Sequence, residues 1–251
     1  MAGAIAAFKE AFSSYKRNFK DYFVYSLVVS LAAGVMALSL AAFLLIIGVL
    51  STGGIAATMM SGNGISLGLV GIGATVLILA VSVAAFAWLQ GGLIGAYLDT
   101  INGILSGRKQ SMGGLFAAIP RFASGIFVVS ILSTIIACIP LAAFAVIGGV
   151  LKDQAVGISL IIVGMFFAML IGALFIFAVP AVVMDRKGAL AAVSGSFFKV
   201  TRNVGSVAVY LAVCIALALP NIIPLFSLLY MPVFYMPFTY AALLLLYKKA
   251  N

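Results

Sequence analysis

The sequence predicts an all-α polytopic integral membrane protein, with six transmembrane helices and three amphipathic interfacial helices on the cytoplasmic side. Three observations predict it. Of 251 residues, 65% are hydrophobic and 8% charged, and the mean hydropathy is +1.32, whereas a soluble domain has roughly a quarter of its residues charged. Apolar runs longer than the ~18 residues that mark a membrane helix recur from one end of the chain to the other. Every one of the 14 Lys and Arg residues except Lys152 falls on one side when six spans alternate. That asymmetry places both termini in the cytoplasm and the protein in the plasma membrane.

The spans are expected at about 22–50, 67–98, 122–150, 157–184, 203–220 and 222–247, so 1–251 reads as a single membrane domain. No cleaved leader is expected, because MAGAIAAF is short for a signal core and is followed, not preceded, by charge at Lys9 and Glu10.

Taken in order, residues 8–23 carry Phe8, Phe12, Tyr15, Phe19, Tyr22 and Phe23 at three- and four-residue steps, opposite Lys9, Lys16, Arg17 and Lys20. An aromatic stripe backed by a basic face suits a helix lying among headgroups. A Gly/Ser/Thr-rich loop is expected over 51–66. The second span ends in WLQGGLIGAYLDTI, where Gly91 and Gly95 share one face and invite close helix approach. Ser111 is a candidate N-cap for a second short helix, GGLFAAIPR, ahead of a third span that Pro140 should kink. Pro180 lies near the end of the fourth span, and the third amphipathic segment follows, with Leu190, Val193, Phe197 and Val200 on one side and Lys199 and Arg202 on the other. Pro220 and Pro224 bracket Asn221 in a turn after the fifth span, and Pro232 and Pro237 make the sixth span the least regular, read first as a structural kink and second as a candidate cavity lining.

The three cytoplasmic segments share Phe-x4-Arg: Phe12 with Arg17, Phe116 with Arg121, Phe197 with Arg202. In the first and third, Asn follows the Arg (Asn18, Asn203), and Tyr25 matches Tyr210 at the same offset. The pattern suggests a threefold repeat of interfacial helix plus hairpin, each Phe on the apolar face and each Arg, with Lys199, at the lipid phosphates.

Pro180-Ala181-Val182-Val183, Asp185, Gly188, Ala192-Val193, Ser196-Phe197 and Asn203 resemble the hallmark of a broad prokaryotic family of six-helix membrane domains, largely of unknown function. That family includes the membrane domain attached to some glycerophosphodiester phosphodiesterases. The blocks GAYLDTINGILSGRKQSMGGLFAAIPRF and KEAFSSYKRNF are similar to its other recurring segments. The catalytic barrel of the fused enzymes is not in this chain, so the resemblance implies a membrane module with an accessory role and not their hydrolysis.

Little in the chain points to chemistry. With no His, and Cys138 and Cys214 inside apolar spans, neither a His-based triad nor a metal site nor a disulfide is expected, and no cofactor is implied. The acids lie at span ends or in loops, so no proton path crosses the bilayer. Asp99 and Asp185, at cytoplasmic ends of spans, are candidates for pairing with arginines, or for holding a divalent ion with lipid phosphate. Gln90 and Asn221 are the intramembrane polar candidates, with hydroxyls such as Thr134. The best reading is a non-enzymatic accessory or scaffold subunit, or a module organising anionic lipid at the inner leaflet. Its partners would be lipid headgroups and other membrane subunits, not nucleic acid. A transporter for a small or lipidic solute is the alternative, and an enzyme acting on lipid headgroups is a third.

Overall fold

A computed structural model describes residues 2–60, 64–150 and 154–250, the side chains of 50–72 and 225 excepted. Among these residues the chain is helical throughout, with no strand. Six helical stretches are long and apolar enough to cross a membrane: Phe19–Val49, Gly73–Leu105, Met112–Val150, Gln154–Met184, Val204–Ile222 and Phe226–Lys249. The elements are α1 (Ala2–Arg17), α2 (Phe19–Met60), α3 (Gly64–Leu105), α4 (Met112–Val150), α5 (Gln154–Ala173), α6 (Ala178–Met184), α7 (Ala189–Arg202) and α8 (Val204–Ala218). A 3-10 turn (Leu219–Ile222), α9 (Pro224–Tyr230), a π turn (Met231–Tyr235) and α10 (Met236–Lys249) complete the chain.

The core is built around α10. Ala241 to Tyr247 are buried without a gap, the fate expected of a helix apolar on all sides. Along it lies α1, whose Ala4, Ala7 and Ala11 are at most 1% exposed and let the two backbones come close. Helices α3 and α4 form another tight pair. A Cβ at Gly92 would sit 2.7 Å from the Ile119 carbonyl oxygen, and one at Gly95 2.5 Å from the Phe122 Cβ. The Gly91–Gly95 face is therefore a packing surface, as its spacing suggested. Between α2 and α3 the Ser26 and Tyr97 hydroxyls are hydrogen-bonded, both buried.

Several expectations need correction. The helix read over 8–23 is two helices. Asn18 parts them, donating its Nδ2 and its backbone N–H to the Ser14 carbonyl at 3.2 and 2.9 Å. A side-chain amide competing with the helix ladder ends α1, and Phe19, Tyr22 and Phe23 belong to the span that follows. Asn203 does the same between α7 and α8, its Nδ2 donating to the Lys199 carbonyl at 3.0 Å.

The second short helix has no separate existence. Ser111 is an N-cap, accepting the Gly114 N–H at 3.1 Å, but the helix it starts runs unbroken for 39 residues through Pro120 and Pro140. Phe116 and Arg121 lie in the first turns of a span. Nor is the described part of 51–66 a loop: α2 stays helical to Met60 and α3 begins at Gly64, while 61–63 lie outside the described residues. Each of these two helices has 42 residues, about 63 Å at 1.5 Å per residue, twice the ~30 Å hydrocarbon thickness.

The fourth span is the one that breaks. Pro180 has no N–H to give the Ile176 carbonyl and its ring crowds it, so the helix is interrupted over 174–177 between α5 and α6. The Ser196 hydroxyl of α7 fills the gap. It accepts the Phe177 N–H at 3.0 Å and donates to the Leu174 carbonyl at 2.8 Å. In the sixth span the irregular part is the first half. There Pro237 cannot donate to the Val233 carbonyl, which accepts the Tyr15 hydroxyl of α1 at 2.7 Å. A cavity of about 550 Å³ is walled by α4, α5, the 174–177 break, α6 and α8.

Candidate functional site

Where α3, α6, α7 and α10 come together at the end of the bundle that carries Lys187, Lys199 and Arg186, their polar side chains form one cluster. The turn from α6 to α7 supplies Asp185, Arg186 and Lys187. Arg186 takes a left-handed backbone (φ 55°) that no glycine provides here, a conformation costing on the order of 1 kcal/mol for an L side chain. The reversal is closed by the Lys187 N–H donating to the Ala181 carbonyl at 3.3 Å.

Asp185 is the hub. Its Oδ2 accepts the Tyr247 hydroxyl at 2.5 Å and lies 3.1 Å from the Lys187 ammonium. Partial burial works to raise the Asp185 pKa. The Tyr247 hydrogen bond, the Lys187 hydrogen bond and charge, and the Lys199 charge outweigh it and hold the carboxyl below the usual carboxylate value. Tyr247 is 1% exposed and stands edge-on to Phe177, ring centroids 5.7 Å apart. The Lys199 ammonium sits 3.7 Å from the Tyr247 ring centroid, shielded and without a hydrogen-bond acceptor. Its pKa is pulled down by burial and by Lys187, against the opposing pull of Asp185.

Beside this, the Arg186 guanidinium approaches Asp99 of α3 at 3.9 Å and lies 4.9 Å from the Phe122 ring centroid, with Arg121 at 5.9 Å from the same ring. The pairing expected of Asp99 and Asp185 with arginines of the short helices is thus made by the α6–α7 turn instead. At the other flank, Glu10 of α1 meets Lys249 of α10 at 2.9 Å.

The remaining predicted residues divide. Arg17, Arg121 and Arg202 are exposed, and none takes part in an ion pair among the described residues. Phe12, Phe116 and Phe197 are 41%, 47% and 41% exposed, so none is a core residue. Gln90 is half-buried on α3, and Asn221 stands in the 3-10 turn with its Oδ1 buried and unpartnered. Neither lines the cavity, whereas Thr134 does. Among the described residues no three His, Cys, Asp or Glu side chains converge as a metal site would need. The residues not singled out beforehand are Tyr247, Lys187 and Phe122. A tyrosine directly before Lys248-Lys249 was a signal for the first; nothing in the local sequence marked the others.

Comparison with known protein families, with curated proteins and with solved structures returns no match. The cluster holds Asp99 and Asp185 in pairs with the cations of the α6–α7 turn.

Proposed function

We propose that this multi-pass membrane protein is non-enzymatic and organises anionic lipid at its basic face, serving as an accessory or scaffold subunit for other membrane proteins of the plasma membrane. In this reading both termini are cytoplasmic, and α1 and α7 lie in the interface as amphipathic helices. The resemblance to the six-helix membrane-domain family agrees with such a role. One observation carries it: Glu10, Asp99 and Asp185 are spent on internal pairs, while Arg17, Arg121 and Arg202 stay exposed outside them. Each of these three follows, by five residues, a phenylalanine that is about half exposed, so an apolar anchor and a phosphate-binding cation recur together. A basic residue near an anionic leaflet contributes about 1 kcal/mol.

The test is native mass spectrometry of the protein released from mixed phosphatidylglycerol and phosphatidylcholine membranes. Wild type should retain phosphatidylglycerol selectively, and the triple variant Arg17→Gln, Arg121→Gln, Arg202→Gln should lose selectivity by on the order of a hundredfold. Equal retention of the two lipids by wild type, or an unchanged ratio in the variant, would sink the reading.

A further inference from the structure

The cavity of about 550 Å³ is apolar except for three hydroxyls, Ser130, Ser133 and Thr134, which share one face of α4. No ionisable residue lines it. Elsewhere in the spans serine and threonine hydroxyls are satisfied. Ser39, Ser82, Thr100 and Ser159 donate to the carbonyl four residues back at 2.7–2.9 Å. Ser26 pairs with Tyr97, and Ser124 accepts the Trp88 indole N–H at 3.2 Å. Among the described span residues, the serines and threonines that make no hydrogen bond are the three in this cavity, and the Ser133 Oγ is fully shielded.

A buried hydroxyl without a partner costs about 1–3 kcal/mol. A helical serine ordinarily avoids that by bonding its own backbone. Ser133 carries that cost alone, and the exposed Ser130 and Thr134 on either side of it leave two further hydroxyls free on the same hollow, so the place suits a partner from outside the chain. The cavity begins eight residues along α4 from Arg121, about 12 Å at 1.5 Å per residue; with Arg121 at the phosphates, as proposed above, it lies deep in the hydrocarbon and out of reach of headgroups. A ligand there is uncharged, since nothing in the lining would neutralise a charge. A carbonyl oxygen suits it best, because its two lone pairs accept two O–H donors and it brings no donor of its own to be satisfied. The volume falls in the range of small-molecule sites, roughly 300–1,000 Å³. Met169 and Ile215 at the edge are 63% and 61% exposed, which leaves an apolar tail a way out into lipid.

We propose that this cavity binds an uncharged, lipid-soluble carbonyl compound, its oxygen accepting from Ser133 and from Ser130 or Thr134. Fluorenone and fluorene, alike in shape but for the carbonyl, test it. Binding of each to the full chain in phosphatidylcholine nanodiscs is measured by equilibrium dialysis, with empty nanodiscs as baseline. Fluorenone should bind about tenfold tighter than fluorene, as two hydrogen bonds of ordinary strength require. The triple variant Ser130→Ala, Ser133→Ala, Thr134→Val should bring fluorenone down to the level of fluorene while leaving fluorene unchanged. Gly172→Leu should abolish both, because a Cβ at Gly172 meets only the Ala137 Cβ at 4.0 Å and the larger side chain enters the hollow. Equal affinity of wild type for the two probes would overturn the proposal. So would a carbonyl preference that survives the triple variant, or binding that survives the filling variant.

Discussion

Helices α1 and α7 are both short, both end at an asparagine and both place a hydroxyl on a backbone that proline has disturbed, yet they dock in different ways. Helix α7 inserts Ser196, 1% exposed, into a gap in a span, where one oxygen serves a donor and an acceptor that would otherwise face each other unpaired. Helix α1 brings Tyr15 to one carbonyl in the middle of a π turn, and it also lies along α10 through a buried alanine seam. The difference teaches that a broken membrane helix is repaired at a point, whereas a merely loosened one is covered by a surface.

The largest effect expected from that contrast is at Ser196. Ser196→Ala leaves the Phe177 N–H and the Leu174 carbonyl unpaired in an apolar setting, a loss of about 2–3 kcal/mol. Unfolding of the detergent-solubilised protein would measure it. Adding Pro180→Ala restores the missing donor and should shrink the loss below about 1 kcal/mol; an undiminished loss would show that Ser196 acts by packing alone. A smaller effect is expected at Tyr15→Phe, about 1 kcal/mol, since the ring stays and one hydrogen bond goes. A loss equal to that at Ser196 would erase the distinction between the two docks.

The smallest effect separates the docks by pH. The folded Asp185 carboxyl has a pKa below its ordinary 3.8. Its contribution is therefore complete above that value and disappears as pH falls through the lowered one. Acid unfolding of wild type should steepen below about pH 4, and Asp185→Asn should flatten that limb without changing the response at Tyr15. An identical acid limb in the variant would remove Asp185 from the account.

The six apolar spans were legible in the sequence because their signal is additive: each depends on many residues of one kind. The breaks were not. Proline acts on the carbonyl four residues upstream, so Pro180 marks a gap at Leu174 to Phe177, residues that carry no signal of their own. The end of a helix at Asn18 turns on one side-chain amide, which pattern reading over 8–23 averages away. Of the cluster, Asp99 and Asp185 were visible as acids at span ends. Their partners were not, since Tyr247 and Asp185 are 62 residues apart and only packing of α10 against α6 joins them.

Tyr15 and Val233 are separated by 218 residues, and this separation has a consequence for how the protein is made. Spans enter the membrane in the order of their synthesis, so α1 is made well before its seat on α10. Its Tyr15 can meet Tyr22 of α2 and its Phe8 can meet Tyr210 of α8 beforehand, but the Val233 carbonyl and the Lys249 partner of Glu10 arrive only with the sixth span.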